Sequence, residues 1–150
     1  MERASSSVLA MLKAATRVNV DKVTMDLTPD QAKARIHVAK GDNAFVSGPG
    51  GTGKSLLIRL ISADLKKRRV PFAVTATTGA AAVQLQCGAQ TVHSFLQCGL
   101  AEGPIEKILA GIHKRKTLKR KMKRLRVLIV DEVSMLSSEF LDRVDLMLQA

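Results

Sequence analysis

The sequence has no tryptophan and no tyrosine, and aromatic residues make up only 3% of it. Few flat side chains are therefore available as platforms for stacking a base. Cysteine is almost as scarce. Cys87 and Cys98 form no CxxC pair and no histidine-rich cluster accompanies them, so no zinc site is expected and a disulfide framework is excluded by count. Reduced, intracellular thiols are the default reading. No stretch approaches the roughly 18 uninterrupted apolar residues of a membrane-spanning helix, and no membrane partner is expected. Acidic charge is also short: 13 Asp and Glu face 24 Lys and Arg, for a net charge of +11.

What is present is enough for one ordinary domain. The 150 residues are 46% hydrophobic and 25% charged, which suits a single core with a normal surface. The basic excess is local. Nine cations, Lys114, Arg115, Lys116, Lys119, Arg120, Lys121, Lys123, Arg124 and Arg126, follow one another with no acid among them. Setting those nine aside leaves 15 basic against 13 acidic residues, a balance of +2. The run from Lys114 to Arg126 points to a polyanion, with nucleic acid first and acidic lipid second. The plain alternative is a solvated, lysine-rich helix.

Residues 1–26 show weak periodicity and are assigned to an N-terminal tail. Their first twenty residues are rich in Ser and Ala, with Arg3, Lys13 and Arg17 against Glu2, a faint likeness to a mitochondrial presequence. A helix is expected to start at Thr28-Pro29-Asp30-Gln31, with Thr28 as N-cap, Pro29 in the first turn and Gln31 closing a capping box, and to stop at Gly41. Ala44 to Ser47 is an apolar run read as a buried strand, and Lys54 onward has helical spacing at Leu57, Ile58, Ile61 and Leu65. Val70 to Thr75 reads as a second strand and Thr78 to Val83 as the start of a helix. Ile105 to Ile112 is read as a helix that continues through the basic run along a stripe of Leu118, Met122 and Leu125. Val127 to Val130 is the most apolar strand, and Ser137 to Gln149 is the last helix. Strands alternating with helices predict an α/β fold, a parallel sheet with helices on both faces.

The string Gly48-Pro49-Gly50-Gly51-Thr52-Gly53-Lys54-Ser55 matches G-x-x-x-x-G-K-[ST], between an expected strand and an expected helix. Glycines let backbone N–H groups turn inward around a phosphate, and the helix start adds partial positive charge. Lys54 would reach the β- and γ-phosphates of a nucleoside triphosphate, and the Ser55 hydroxyl would ligate Mg²⁺. Asp131 and Glu132 end an apolar strand, at the edge where open α/β sheets bind ligands. Asp131 would hold the magnesium through water and Glu132 would polarise the attacking water. Together the two motifs predict hydrolysis. No guanine-reading NKxD is present.

Five elements in this order, LTPDQ, GPGGTGKS, TATTGAAA, GAQTVHSF and IVDEVSML, resemble the PIF (petite integration frequency) family of DNA helicases from about Leu27 to the C-terminus. The resemblance implies a RecA-like P-loop NTPase domain of superfamily one, driven by ATP and Mg²⁺ and moving 5′→3′ on single-stranded DNA. It implies work in DNA repair, recombination and telomere or genome maintenance, in the nucleus or mitochondrion if the source is eukaryotic. Gln31 falls on the family's adenine-reading glutamine, a role that competes with the cap. Thr78 and Gly79 fall on a motif that grips the DNA backbone, and His93, Ser94 and Phe95 on the next DNA-facing motif, with Phe95 able to stack on a base. The basic run exceeds the family pattern and is read as an auxiliary nucleic-acid backbone contact. The family's second RecA-like domain, its arginine and its third-motif glutamine are not in the chain, so residues 27–150 are expected to be a partial first motor domain, incomplete at the C-terminus, that binds ATP weakly and does not unwind DNA alone. Two alternatives remain at this point: a RecD- or relaxase-type helicase domain, and a truncated nucleotide- and DNA-binding module without turnover.

Overall fold

The computed structural model describes residues 17–20 and 23–149. They fall into two compact units, one ending at Asp64 and one beginning at Leu65.

The first unit opens on an antiparallel pair, β1 (Arg17–Val20) and β2 (Val23–Asp26), with Arg17 opposite Asp26 and Val20 opposite Val23. Within the segment expected to be tail, residues 17–20 and 23–26 are therefore paired strands. Two four-residue runs rich in β-branched residues, set two residues apart, are hairpin spacing, but strands this short show no clear alternation. Residues 1–16, with most of the presequence-like stretch, lie outside the described residues.

Helix α1 (Pro29–Lys40) forms as its caps predict. The Gln31 N–H donates to Thr28 Oγ1 at 3.3 Å and the Thr28 N–H donates to Gln31 Oε1 at 2.9 Å. Gly41, at φ +91°, closes the other end and donates to the carbonyls of His37 and Val38. Helix α2 (Lys54–Lys67) buries Leu57, Leu60 and Ile61. The half-buried Arg35 on α1 holds Asp64 on α2 through both Nε and Nη2, the latter at 2.8 Å. That carboxylate holds the Arg35 pKa above its ordinary value.

The strand expected at Ala44 to Ser47 does not form. The segment carries no ladder, Phe45 is 80% exposed and Val46 41%. A strand exists only as a pairing, and a short apolar run is ambiguous without a partner. Among the described residues of this unit the only ladder is β1 with β2.

The second unit contains β3 (Phe72–Ala76), α3 (Gly79–Gln84), β4 (Gln90–Thr91), α4 (Val92–Leu96), α5 (Ile105–Lys114), α6 (Lys116–Arg124), β5 (Val127–Asp131), a 3₁₀ turn (Val133–Met135) and α7 (Ser138–Gln149). Its sheet is parallel in the order β4-β3-β5. The fully buried Thr75 on the central strand donates its hydroxyl to the Ile129 carbonyl at 2.8 Å. All five residues of β5 are only half-buried, because among the described residues β5 pairs on one side alone. The core lies among the helices, with Val92, Phe95 and Leu96 of α4 against Leu118, Met122, Phe140, Val144 and Met147.

The helix expected to run through the basic segment is instead two. Arg115, at φ −91° and ψ +83°, separates α5 from α6. The apolar stripe explains the break. From Ile112 to Leu118 is a step that would turn an unbroken helix by about 240°, away from the face of Ile112. Interrupting the helix at Arg115 lets both residues reach the core, where each is 3% exposed.

Truncating Leu118 to Ala should therefore cost about 2–5 kcal/mol in a denaturant melt, whereas Lys119→Ala should stay within about 0.5 kcal/mol.

Candidate functional site

In the first unit, the glycine-rich loop begins right after the exposed Ala44–Ser47 segment and ends in the first turn of α2. Gly51 and Gly53 hold φ +77° and +83°, left-handed values that favour glycine and turn successive N–H groups towards one side. Thr52 Oγ1 donates to the Pro49 carbonyl at 2.9 Å. The Lys54 ammonium lies across the loop, donating to the carbonyls of Gly48 and Pro49, each at 2.8 Å. Ser55 is exposed in the first turn of α2.

Gln31 joins this loop to α1. While Oε1 serves the cap, its Nε2 donates to the Thr52 carbonyl at 2.8 Å. A side chain on residue 53 would meet that same nitrogen at 2.8 Å and displace the Gln31 amide, while the left-handed φ of +83° is what calls for glycine there. Both ends of the Gln31 amide are engaged by protein, and the cap takes the oxygen for which the adenine-reading role competes.

In the second unit, register gathers the remaining motif residues. Ala76, the last residue of β3, pairs with Thr91 on one side and Asp131 on the other. The C-terminal ends of all three strands thus form one edge. Thr77, Thr78 and Gly79 leave it from β3, Val92 to Ser94 from β4, and Glu132 from β5. Thr78 caps α3 by accepting from the Ala81 N–H at 3.1 Å. Thr91 caps α4 by accepting from the Ser94 N–H at 3.1 Å, and it donates its own proton to Ser94 Oγ at 2.8 Å. Thr77 donates to the sulfur of Met135 at 3.6 Å, linking the turn after β3 to the turn after β5. Glu132 is exposed and left-handed at φ +55°, a conformation that costs a non-glycine residue about 1–2 kcal/mol. Such outliers concentrate at functional sites.

One residue of the GAQTVHSF motif behaves differently from expectation. Phe95 is 0% exposed in the core, under the ammonium of Lys121, 4.3 Å from the ring centroid. A base stack needs an open ring face, so the reading of Phe95 as a DNA contact is corrected to a core residue. The half-buried His93 stacks on Phe140 with centroids 4.3 Å apart and planes 15° from parallel. Thr77 and Thr91 were overlooked. The signal for Thr91 was present as a hydroxyl residue three positions before Ser94, the N-cap spacing that identified Thr28.

In the first unit the loop offers left-handed glycines, a helix start and a lysine ammonium, a donor set that fits a polyphosphate. In the second unit the sheet edge offers a half-buried carboxylate beside an exposed one, oxygen donors of the kind a Mg²⁺ ion takes. Among the described residues no group of three or more His, Cys, Asp or Glu could hold a metal ion. Mg²⁺ uses one or two protein oxygens and takes the rest from phosphates and water. Outside the site, burial pushes the Cys98 thiol up.

Replacing Gln31 by Glu keeps the acceptor for Thr28 and removes the donor to Thr52. Gln31→Glu should leave the cap intact while loosening the loop, and Gln31→Ala should lose both bonds, at about 0.5–1.5 kcal/mol each. Thermal melts of the two variants, read beside hydrogen exchange at Thr28 and Gly53, separate these effects.

The family described as PIF1-like helicase matches residues 26–150, which favours the PIF-type reading over the RecD- or relaxase-type one. The chain is 37% identical over 117 residues to the ATP-dependent DNA helicase Pif1 of Bdellovibrio bacteriovorus, covering 78% of this chain and 26% of that protein. It is 36% identical over 126 residues to ATP-dependent DNA helicase PIF1 of Saccharomyces cerevisiae, covering 83% of this chain and 14% of that protein. The crystal structure of Pif1 helicase from Candida albicans superposes with a TM-score of 0.77 at 34% identity, over 83% of this chain and 28% of that one. The likeness assigns the α/β arrangement to the RecA-like type. The chain spans about a quarter or less of the length of these relatives. With the phosphate loop, the shared sheet edge and a match over residues 26–150, the chain belongs to the PIF1-like helicase family.

Proposed function

We propose that this chain supplies part of the ATP-driven motor of a 5′→3′ DNA helicase, with single-stranded DNA as its track. The observation that carries the reading is the register at Ala76, which sets Asp131 of β5 and Thr91 of β4 on either side of one strand end. Carboxylates for hydrolysis and hydroxyls for phosphate binding then share an edge.

Gly48 to Ser55 wraps the phosphates of ATP with backbone N–H groups. Lys54 exchanges its two carbonyl partners for β- and γ-phosphate oxygens. Ser55 and Asp131 would be the residues to hold Mg²⁺, and the ion would supply positive charge to offset that of the phosphate oxygens. Glu132 takes up the proton of the attacking water as general base. Gln31 reads the adenine edge after releasing Thr28 and Thr52. Thr78 and Gly79 at the start of α3, with His93 and Ser94 on α4, contact DNA phosphates and sugars. An intracellular setting, nuclear or mitochondrial in a eukaryote, fits a DNA track, as do roles in repair and recombination.

Nucleotide binding and turnover test the reading. Lys54→Ala should abolish binding of a fluorescent ATP analogue. Glu132→Gln should preserve binding and lower hydrolysis by about 10²–10⁴-fold. Turnover by this chain stimulated by oligo-dT supports a motor; binding of both ligands without turnover identifies a binding module instead; loss of ATP binding in neither variant overturns the assignment.

A further inference from the structure

A second feature of the sheet lies at its other end. Pro71 and Phe72 begin β3, and Leu125 and Arg126 lead into β5, so these residues mark the N-terminal edge. Five-residue strands put that edge about 13 Å from the one that carries Asp131. The N–H groups of Arg126 and Val127 both donate to the Pro71 carbonyl, at 2.9 and 3.3 Å, and fix the two segments together. Beside them is a groove of about 390 Å³, bounded by Pro71, Phe72 and Leu125 on its apolar side and by Arg120, Lys121 and Arg124 of α6 on the other.

The chemistry of this groove is one-sided. Helix α6 buries Leu118 and Met122, and about 100° per residue then spreads its cations over the opposite arc. Arg120 and Arg124 are one turn apart and both exposed, about 6 Å along the axis. No Asp or Glu occurs between Glu106 and Asp131, and among the described residues no ion pair involves α6. Lys121 is held over the Phe95 ring, which keeps its ammonium at the rim. Like charges so close repel one another, and among the described residues no carboxylate pairs with them. A polyanion would offset that repulsion.

We infer that the groove between α6 and the N-terminal edge of the sheet is a second binding site for single-stranded DNA, with phosphates on Arg120, Lys121 and Arg124 and a sugar or base against Phe72 and Leu125. An unpaired strand is favoured over a duplex because the groove has an apolar wall, which phosphates alone would leave uncovered. The site rests on the proposed function only for the identity of the polyanion. It uses none of the residues assigned to ATP or to the opposite edge.

The test measures binding of the whole chain to fluorescent oligo-dT and to a duplex of equal length across a salt series. For the Arg120→Gln, Lys121→Gln, Arg124→Gln triple variant, loss of three phosphate contacts should lower the slope of log K against log salt by about 2. Affinity for oligo-dT should fall about tenfold or more at low salt and converge with the parent at high salt. Arg120→Lys with Arg124→Lys keeps the charges and should keep the slope, which a merely structural role for the arginines would not predict. Phe72→Ala should weaken oligo-dT binding more than duplex binding. ATP-analogue affinity, unchanged in the triple variant, shows that the fold and the nucleotide site are intact. An unchanged slope overturns the site, and so does a triple variant that loses only its binding to phosphatidylserine vesicles. Thr78→Ala, assayed in parallel, reports on the opposite edge, so failure of one site is distinguishable from failure of the other.

Discussion

The parallel register of β3 between β4 and β5 is the constraint on which the second unit depends. Because Ala76 meets both Thr91 and Asp131, three stretches of sequence far apart along the chain end at one level. A shift of one residue would turn every side chain of the slipped strand to the other face. Thr75 guards against such a slip, since its buried hydroxyl must find the Ile129 carbonyl or remain unsatisfied. The register therefore fixes packing and chemistry together.

Much of this was legible in the residues. The caps of α1 and the end of β5 each rest on a local pattern with a direct physical cause, and each formed where the pattern placed it; the glycine loop leads into α2 as its pattern requires, without the strand expected before it. What was not legible depended on partners. Ala44 to Ser47 looks like a strand because its residues are apolar, but no neighbour pairs with it. Residues 17–26 look like tail because four residues are too few to show alternation, yet they pair with each other. Phe95 reads as a stacking platform because it falls on a DNA-facing motif of the family that the chain resembles, yet its ring packs in the core with Val92, Leu96 and Phe140.

The break at Arg115 belongs to a third class, one that the sequence contains but that composition conceals. A dense run of cations reads as one long solvated helix. The spacing between Ile112 and Leu118 is incompatible with that helix having a single buried face. Charge governs what the segment can bind, whereas a handful of apolar residues governs its shape. The two readings of the basic run, solvated helix and polyanion site, are thus not exclusive: one face of α6 is anchored and the other is left to solvent and to ligands.

The Lys54 bonds to Gly48 and Pro49 have a consequence for selectivity. An ammonium already held by two carbonyl oxygens gains little from an anion that offers one weak acceptor, such as chloride. Only a ligand presenting several charged oxygens at once can outmatch both carbonyls and meet the loop's N–H groups as well. On the reading proposed above, the loop would discriminate by valency, favouring a polyphosphate over a simple ion.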